Sequence, residues 1–307
     1  MSQTLDRVLD RIAQNNPVHG KRLRTDLWEL GAAYVADTEG FLGRYESYLS
    51  GRGRSLDQAV DSYLRFVGDM VVERVEYLST GKYRHTSFEE VNRSVYNNPD
   101  VMAYHMEGLL LSQFLWRHHY EMLVYFRRTV EPFAARIGSY LDVGAGHGIY
   151  VDAFAELARP GCTIDVVDIS PTSLEMCKQL VKAPVSRYLL KNIFDFTPEK
   201  PYDFITMGEV LEHVEDPVGL LQRLRQLLAD DGRVFITTPT NAPTIDHIYL
   251  FRDTAHIREI ISAAGFEVVS DVELSSERTS PERVAKHKLT VLYGAILKPT
   301  KPNTEYV

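Results

Sequence analysis

The sequence predicts an α/β protein in which an all-α cap precedes a doubly wound, mostly parallel sheet with an antiparallel edge pair. Three observations predict this class. Almost no strand signal precedes residue 135, whereas short β-branched runs alternate with amphipathic helices after Pro132. A glycine-rich turn closes the first of those runs, and two late runs lack an obvious crossover helix. We therefore divide the 307 residues into a helical cap or lid at 1–135, an α/β domain at 136–299 and a tail at 300–307.

Apolar residues spaced by three and four positions indicate that the first part of the chain is helical. Residues 25–49 show this spacing, with glycines that favour a kink or a break. Capping boxes that begin at Ser55 and Ser87 predict two further helix starts, because such side chains pair with orphan backbone amides. The run 100–130 is apolar on most of its circumference, so we expect one long, deeply buried helix there.

Short apolar runs after Pro132 predict the strands of a parallel sheet that is covered on both faces. These runs occupy residues 139–145, 163–169, 185–190, 203–207 and 233–238. The clearest intervening helix follows its capping residue Asp216, and we expect it to end at Gly232. Two final runs, 266–274 and 289–297, predict an antiparallel pair at the sheet edge.

Composition and charge are those of an ordinary globular chain, with 44% apolar and 25% charged residues. The net charge of -8 and the lack of a basic stripe argue against a nucleic-acid partner and favour a small molecule. Cys162 and Cys177 match no disulfide or zinc spacing, which fits a reducing cytoplasm. The amino terminus lacks a signal-peptide core, and no run approaches the ~20 apolar residues of a membrane span. A homodimer is compatible with this composition.

A glycine-rich turn ends the first predicted strand and leaves room for a nucleotide-sized ligand against its backbone. It reads Asp142-Val143-Gly144-Ala145-Gly146-His147-Gly148. Ile149 stands where the dinucleotide fingerprint places its third glycine, which weakens an interpretation as an NAD site. Asp168 ends the second strand, where a carboxylate can accept two hydrogen bonds from a ribose diol.

Four motifs, including this turn, resemble the class I S-adenosylmethionine-dependent methyltransferases over about residues 135–298. They are LDVGAGHG, VVDIS, the strand end at Asn192-Ile193, and GEVLEHVEDP from Gly208 to Pro217. The resemblance implies a Rossmann-like fold with S-adenosylmethionine as cofactor and S-adenosylhomocysteine as product. It also implies these cofactor-binding residues: Asp142, Gly144, Gly146, Gly148, Asp168, Ile169, Asn192, Ile193, Glu209 and His213.

The resemblance assigns roles within that set. Asp142 and the glycine turn would pass under the methionine and ribose portions, and Asp168 would hold the ribose hydroxyls. Asn192 stands where relatives often have an acid that bonds the adenine amino group, and its amide oxygen can accept the same bond. Ile169 and Ile193 would pack on adenine, although core packing is favoured for isoleucine at a strand end.

Glu209 and His213 lie four residues apart, where the resemblance places the cofactor pocket. We expect them to shape that pocket rather than to select the substrate. Glu212 lies between them, and we favour a solvated carboxylate at a helix start for it. We predict no metal site.

The segment 240–249 is dense in hydrogen-bonding groups and should overhang the crevice beyond the carboxyl ends of the strands. It is therefore the candidate substrate site, with Asn241 and Tyr249 as expected substrate contacts. Asp246 and His247 are candidates for general acid or base catalysis, because imidazole titrates near neutral pH. A purely structural role for the histidine is an equal alternative.

The amino-terminal helices are expected to form a lid, because methyl transfer requires water to be expelled and the reactants to be held in line. Tyr104 and Gln113 bring polar groups into an apolar helix, which makes them candidate catalytic residues. Trp116 is a candidate substrate contact, although core packing is favoured for it.

We interpret the protein as a cytoplasmic methyltransferase that acts on a small specialised metabolite or amino-acid-like acceptor by in-line methyl transfer. One alternative keeps the fold but changes the reaction: a cyclase of the azetidine-2-carboxylate synthase type would consume S-adenosylmethionine and release methylthioadenosine. A second alternative is a catalytically silent cofactor-binding protein. A nicotinamide dehydrogenase is the weakest of the alternatives.

Overall fold

The amino-terminal part of the chain is helical in the computed structural model, which describes residues 3–300. The helices are α1 (Gln3–Asn15), α2 (Pro17–Trp28), α3 (Gly31–Ser50), α4 (Leu56–Thr80), α5 (Phe88–Val91), α6 (Pro99–Leu115) and α7 (Arg117–Ala134), with a π-helical turn at Asn92–Tyr96. The capping box of Ser55 and Gln58 is complete. The Ser87 side chain accepts a hydrogen bond from the Glu90 amide. Both predicted helix starts are therefore confirmed.

Two breaks interrupt the predicted helices. Gly31, with a φ of 81°, separates α2 from α3, so the break expected within residues 25–49 falls at this glycine. The prediction of one long helix over 100–130 is wrong, because Trp116 has an extended backbone and separates α6 from α7. Both halves bury apolar residues, so hydrophobic periodicity alone did not reveal the break.

A seven-stranded sheet follows these helices, and its strands lie in the order β3-β2-β1-β4-β5-β7-β6. The strands are β1 (Ser139–Val143), β2 (Thr163–Asp168), β3 (Arg187–Leu190), β4 (Tyr202–Gly208), β5 (Leu228–Thr240), β6 (Phe266–Ser275) and β7 (Val291–Pro299). The intervening helices are α8 (Ile149–Leu157), α9 (Pro171–Leu180), α10 (Pro217–Leu227), α11 (Thr254–Ala263) and α12 (Pro281–Lys286), with a 3₁₀ turn at Leu211–His213. The first five strands run parallel, and β7 runs antiparallel to both β5 and β6. The predicted fold class is confirmed.

Two details of the sheet differ from expectation. The helix α10 ends at Leu227 rather than at Gly232, because Leu228 already pairs with Tyr202 of β4. The strand β3 lies at the sheet edge and is half-buried or exposed, so the expectation of burial on both faces is wrong for it. An edge strand has a neighbour on one side only, which an apolar run in the sequence does not disclose.

Apolar side chains of the helices and the sheet form one continuous core on the first face of the sheet. Phe126 of α7 lies 4.8 Å from Phe235 of β5 between ring centroids. A second core, under α10 and α11, contains Leu221 and Ile257 and covers the other face. The division of the chain at residue 135 stays a prediction, and the tail beyond Thr300 lies outside the described residues. Within residues 3–300, no helix is long and apolar enough to cross a membrane.

Candidate active site

A cavity of about 190 Å³ opens at the carboxyl ends of β1, β2 and β4, beneath α6. Nine of the residues predicted from the sequence line it: Gln113, Asp142, Gly144, Gly146, Asp168, Ile169, Glu209, His213 and Asp246. A wider cleft of about 1210 Å³ lies at the opposite end of the parallel strands, around Arg136 and Arg225, and contains none of them. The sheet topology therefore brings together residues that are far apart in sequence, because parallel strands end at one edge.

The glycine turn after β1 is shaped by left-handed backbone at three positions, with φ values of 70°, 53° and 77° at Gly144, Gly146 and Gly148. A Cβ at Gly144 would lie 2.5 Å from Cγ2 of Val210, so this position is closed by packing. At Gly146 the nearest atom to such a Cβ would be Cε of Met106, at 4.0 Å. Gly146 therefore leaves open space towards α6, as a backbone that receives a ligand requires.

Asp168 at the end of β2 is almost fully buried and holds the glycine turn in place. Its Oδ1 accepts a hydrogen bond of 2.7 Å from the Ser170 amide, and its Oδ2 accepts one of 3.2 Å from the Gly146 amide. Burial raises the pKa of this carboxyl despite these hydrogen bonds. The carboxylate lines the cavity and retains lone pairs that a diol could use.

Asp142 on β1 lies one strand away and is held by two hydroxyl donors. The Tyr140 hydroxyl donates to its Oδ2 over 2.9 Å, and the Thr206 hydroxyl donates to the same atom. Burial raises the pKa of Asp142 to about 6. The floor of the cavity therefore carries an acid whose charge depends on pH in the mildly acidic range.

The residues proposed for the adenine end are separated by the structure. Ile169 is 45% exposed and lines the cavity. Ile193 is buried in the second core instead, and its carbonyl accepts a hydrogen bond from Arg223. The Asn192 Oδ1 accepts a hydrogen bond of 3.0 Å from the Phe194 amide and thereby shapes a turn outside the cavity lining.

Glu209, just beyond β4, combines a strained backbone with an unpartnered carboxylate oxygen. Its φ is 55°, in the left-handed region that favours glycine, and its amide donates to the Thr237 carbonyl over 3.0 Å. Its Oε1 is buried without a hydrogen-bond partner. Burial raises the pKa of this carboxyl to about 7. A strained backbone and a hydrogen-bond acceptor without a partner, both at one residue, are features of ligand-binding positions.

The opposite wall of the cavity carries a buried acid and two histidines. Asp246 Oδ2 lies 3.2 Å from Nε2 of His105 and 3.6 Å from Nδ1 of His213. Burial lowers the pKa of His105, but the Asp246 carboxylate more than offsets this, so the pKa is raised. The Tyr96 hydroxyl lies 3.0 Å from Nδ1 of His213 and closes this wall.

His105 and Tyr96 were missed from the sequence. His105 carries the same signal that singled out Tyr104, a polar group within an apolar helix, but the structure places the two neighbours differently. The Tyr104 hydroxyl donates to Asp69 over 2.6 Å, and Tyr104 is outside the cavity lining. Gln113 lines the cavity, with Nε2 3.2 Å from Nδ1 of His119. Packing against α4 fixes the rotation of α6 about its own axis. This rotation decides which of these side chains reaches the cavity.

The remaining predicted contacts are not part of the cavity lining. Nδ1 of His247 is 2.6 Å from the Ala242 carbonyl, and burial lowers the pKa of this imidazole to about 3. Asn241 Oδ1 accepts a hydrogen bond from the Tyr77 hydroxyl over 2.6 Å. Tyr249 packs on Phe251, with ring centroids 4.8 Å apart.

Two further residues of the predicted set stand in structural positions. The Trp116 indole donates to the Tyr63 hydroxyl over 2.8 Å and lines a separate apolar groove of about 400 Å³. Gly148 is the N-cap residue of α8, and a Cβ there would lie 2.6 Å from Sγ of Cys177. Neither residue is part of the cavity lining.

Comparison with known proteins identifies the family. A family model described as a methyltransferase domain matches residues 116–271. The ubiquinone biosynthesis O-methyltransferase of Xanthomonas axonopodis pv. citri (strain 306) is 29% identical over 125 residues, which cover 39% of this chain and 50% of that protein. The protein of the same name from Xylella fastidiosa (strain 9a5c) is 32% identical over 120 residues, which cover 38% and 46%. The chain thus spans about half the length of these curated relatives.

The chain is also similar to solved structures, the first of which shares its fold. The mitomycin 7-O-methyltransferase MmcR superposes with a TM-score of 0.51 at 14% identity, over 76% of this chain and 68% of that one. The N-methyltransferase NodS from Bradyrhizobium japonicum WM9, in complex with S-adenosylhomocysteine, gives a TM-score of 0.49 at 15% identity, over 70% and 98%.

The residues of the cavity fit a nucleoside cofactor on their own chemistry. Gly146 leaves open space, Asp168 presents a carboxylate, and Glu209 presents a buried oxygen without a partner. An aliphatic surface at Ile169 completes a set suited to a sugar, a polar chain and a flat ring. From the family match over half of its length, the chain belongs to the family of S-adenosylmethionine-dependent methyltransferase domains.

Proposed function

We propose that this chain transfers a methyl group from S-adenosylmethionine to a small-molecule acceptor. The observation that carries the proposal is a single cavity lined from one side by the glycine turn and Asp168, and from the other by His105 and Asp246. One side suits a cofactor and the other suits an acceptor. The net charge of -8 supports a partner other than nucleic acid.

Each side chain on the cofactor side has a proposed task. Asp168 would accept hydrogen bonds from both ribose hydroxyls, Asp142 would lie beneath the polar chain, and Ile169 would pack on the base. The unpartnered Glu209 oxygen would accept a hydrogen bond from a donor of the bound molecule. S-adenosylmethionine supplies a sulfonium methyl group that is already electrophilic. The protein therefore contributes position and a suitable electrostatic environment.

On the acceptor side, we assign proton removal to His105. We place the hydrogen of the neutral imidazole on Nε2, which lies 3.2 Å from Asp246 Oδ2, because Nδ1 is buried without a partner. This tautomer leaves the Nδ1 lone pair free to take a proton from an acceptor hydroxyl. The Asp246 carboxylate would stabilise the resulting imidazolium. A hydroxyl acceptor also agrees with the names of the curated O-methyltransferase relatives.

Segments from the helical part close the cavity against water. Phe88 and Tyr96 line it, and the Phe88 amide donates to the Glu215 carboxylate over 2.7 Å. This contact fastens α5 to the α/β part near the cavity mouth. Exclusion of water strengthens the hydrogen bonds inside and keeps the reactants in line.

A second candidate function is cyclisation of the cofactor itself. The observation that favours this alternative is the small volume of the cavity, about 190 Å³. The experiment incubates the purified chain with S-adenosylmethionine, with and without an extract of cell metabolites, and identifies products by mass spectrometry. S-adenosylhomocysteine that forms only with the extract supports methylation. Methylthioadenosine formed without the extract would replace our proposal with cyclisation, and binding without any product would leave a silent cofactor-binding protein.

We also propose a cytoplasmic location, since neither cysteine is paired: Cys162 and Cys177 are both free. Light scattering on the full chain measures its molar mass in solution and shows whether it forms a homodimer.

A further inference from the structure

A second polar cluster lies directly behind the cavity wall and is formed by Glu212, His213 and His247. The Glu212 Oε1 lies 3.9 Å from Nε2 of His213 and 3.9 Å from Nε2 of His247. One possible ligand atom from each of the three residues lies within 4.8 Å of the other two. Glu212 is only 1% exposed, so water does not solvate its carboxyl group. The expectation of a solvated Glu212 at a helix start is wrong.

The tautomers of both histidines are defined by backbone carbonyls. Nδ1 of His213 is 2.9 Å from the Asp246 carbonyl, and Nδ1 of His247 is 2.6 Å from the Ala242 carbonyl. A carbonyl oxygen can only accept, so we place a hydrogen on each Nδ1; the Tyr96 hydroxyl, 3.0 Å from Nδ1 of His213, then acts as an acceptor. Each Nε2 therefore presents a lone pair, and both lone pairs belong to atoms beside Glu212.

The carboxylate adds a third acceptor. Oε2 of Glu212 accepts a hydrogen bond from the Thr238 hydroxyl over 2.8 Å, whereas Oε1 is buried with no hydrogen-bond partner. Three acceptor atoms thus face one another with no hydrogen between them. Such an arrangement is unfavourable unless a cation or a proton occupies it.

We propose that Glu212, His213 and His247 bind a divalent transition-metal ion, with Zn²⁺ the preferred ion among Zn²⁺, Mn²⁺ and Mg²⁺. Two imidazoles and one carboxylate form a mixed nitrogen and oxygen set, which binds Zn²⁺ more tightly than Mn²⁺ and suits Mg²⁺ poorly. The backbone carbonyls that bond each Nδ1 act as the outer partners that orient metal-ligating histidines.

The ligand atoms, which lie within 4.8 Å of one another, must move closer together to bind an ion. Zinc bonds of about 2.0–2.2 Å place tetrahedral ligand atoms about 3.4 Å apart. The carboxylate oxygen must therefore approach each nitrogen by about 0.5 Å from its present 3.9 Å. The neighbouring Asp246 carboxylate adds negative charge, which favours a cation.

The test measures metal binding by isothermal titration calorimetry on the full chain, stripped with a chelator and free of cofactor and acceptor. We expect one Zn²⁺ per chain, bound at least tenfold more tightly than Mn²⁺, with Mg²⁺ weaker still. Glu212→Gln and His247→Gln should each weaken Zn²⁺ binding at least a hundredfold. His287→Gln removes an exposed imidazole outside the cluster and should bind Zn²⁺ like the wild type.

Circular dichroism shows whether each variant is folded, and His213→Gln replaces any variant that is not. A wild-type chain without stoichiometric Zn²⁺ binding would overturn the proposal. So would folded Glu212 and His247 variants that bind Zn²⁺ as tightly as the wild type. Because the readout is binding alone, the result does not depend on whether methyl transfer is found.

Discussion

Nε2 of His105 and Oδ2 of Asp246 lie 3.2 Å apart and join α6 to the loop that follows β5. Both residues are nearly inaccessible, at 4% and 5% exposure. A buried carboxyl group beside a buried histidine is retained at a cost in desolvation, so the position of this pair beside a cavity points to a role in function. The pair also joins α6, which covers the cavity, to the loop that follows β5. The covering of the site and the positions of its acid and base therefore depend on each other.

Replacement of either partner tests that role. We expect His105→Gln and Asp246→Asn to lower kcat by about 10²–10³, the range typical of a lost general base. S-adenosylhomocysteine affinity should change less than threefold, because neither side chain is on the cofactor side. Turnover assays and calorimetry measure the two quantities separately. His19→Gln, a histidine bonded to the Tyr63 hydroxyl away from the cavity, is the control and should keep its kcat. Equal losses in kcat and cofactor affinity would contradict the assignment.

Asp168 offers a test of the cofactor side. Asp168→Ala removes a carboxylate that orders the Gly146 amide, so S-adenosylhomocysteine affinity should fall by about 1–3 kcal/mol, or roughly fivefold to 150-fold. Asp203→Ala is a matched control, because Asp203 Oδ2 also accepts two backbone amides, those of Gly138 and Ser139, at the far end of β1. Calorimetry should show affinity lost only in the first variant. Unchanged affinity in Asp168→Ala would remove this residue from the site.

Close packing of α6 on α4 at Gly108 makes a stability prediction. A Cβ there would lie 2.4 Å from Cβ of Phe66, so Gly108→Ala should destabilise the fold by about 1–3 kcal/mol through overpacking. Gly40→Ala adds the same methyl group inside α3, where no atom lies within 4 Å, and should stabilise by about 0.5–1 kcal/mol. Urea unfolding of the two variants gives both numbers. A stable Gly108→Ala chain would show that α6 can move away from α4.

Asp142 predicts a pH dependence of stability. Its pKa is about 6 in the folded chain against 3.8 for an ordinary aspartate, so the folded state binds a proton that the unfolded state has lost. The free energy of unfolding therefore falls as pH rises between these values. Asp142→Asn keeps an oxygen for the Tyr140 hydroxyl but does not ionise. Its advantage over the wild type should grow by about 2 kcal/mol between pH 4.5 and 7.5. Urea unfolding without cofactor measures this, and a constant difference would contradict it.

Local sequence patterns predicted the parts of the fold that depend on short-range chemistry. The capping box at Ser55, the glycine turn after β1 and the acid at the end of β2 are each defined by a few neighbouring residues. Their physical requirements, namely a paired amide, a left-handed backbone and a strand end, are visible in a window of that size. The site residues Asp142 and Asp168 followed from this, because parallel strands place such ends side by side.

Other features depended on contacts between distant segments. His105 and Tyr104 are adjacent in an apolar helix, and only packing against α4 places the first in the cavity and the second against Asp69. Glu212 is expected to be solvated from its position at a helix start, but β5 and the following loop bury it beside two histidines.

By itself, the sequence determined the alternation of helix and strand, the glycine turn and the acids at the strand ends, because backbone conformation there is decided by neighbouring residues. The tertiary structure alone decided that α6 and α7 are separate, that His105 meets Asp246, and that Glu212 meets His213 and His247. Burial and the orientation of side chains are properties of the packed chain. No local sequence pattern therefore shows which polar groups will be buried together, away from water.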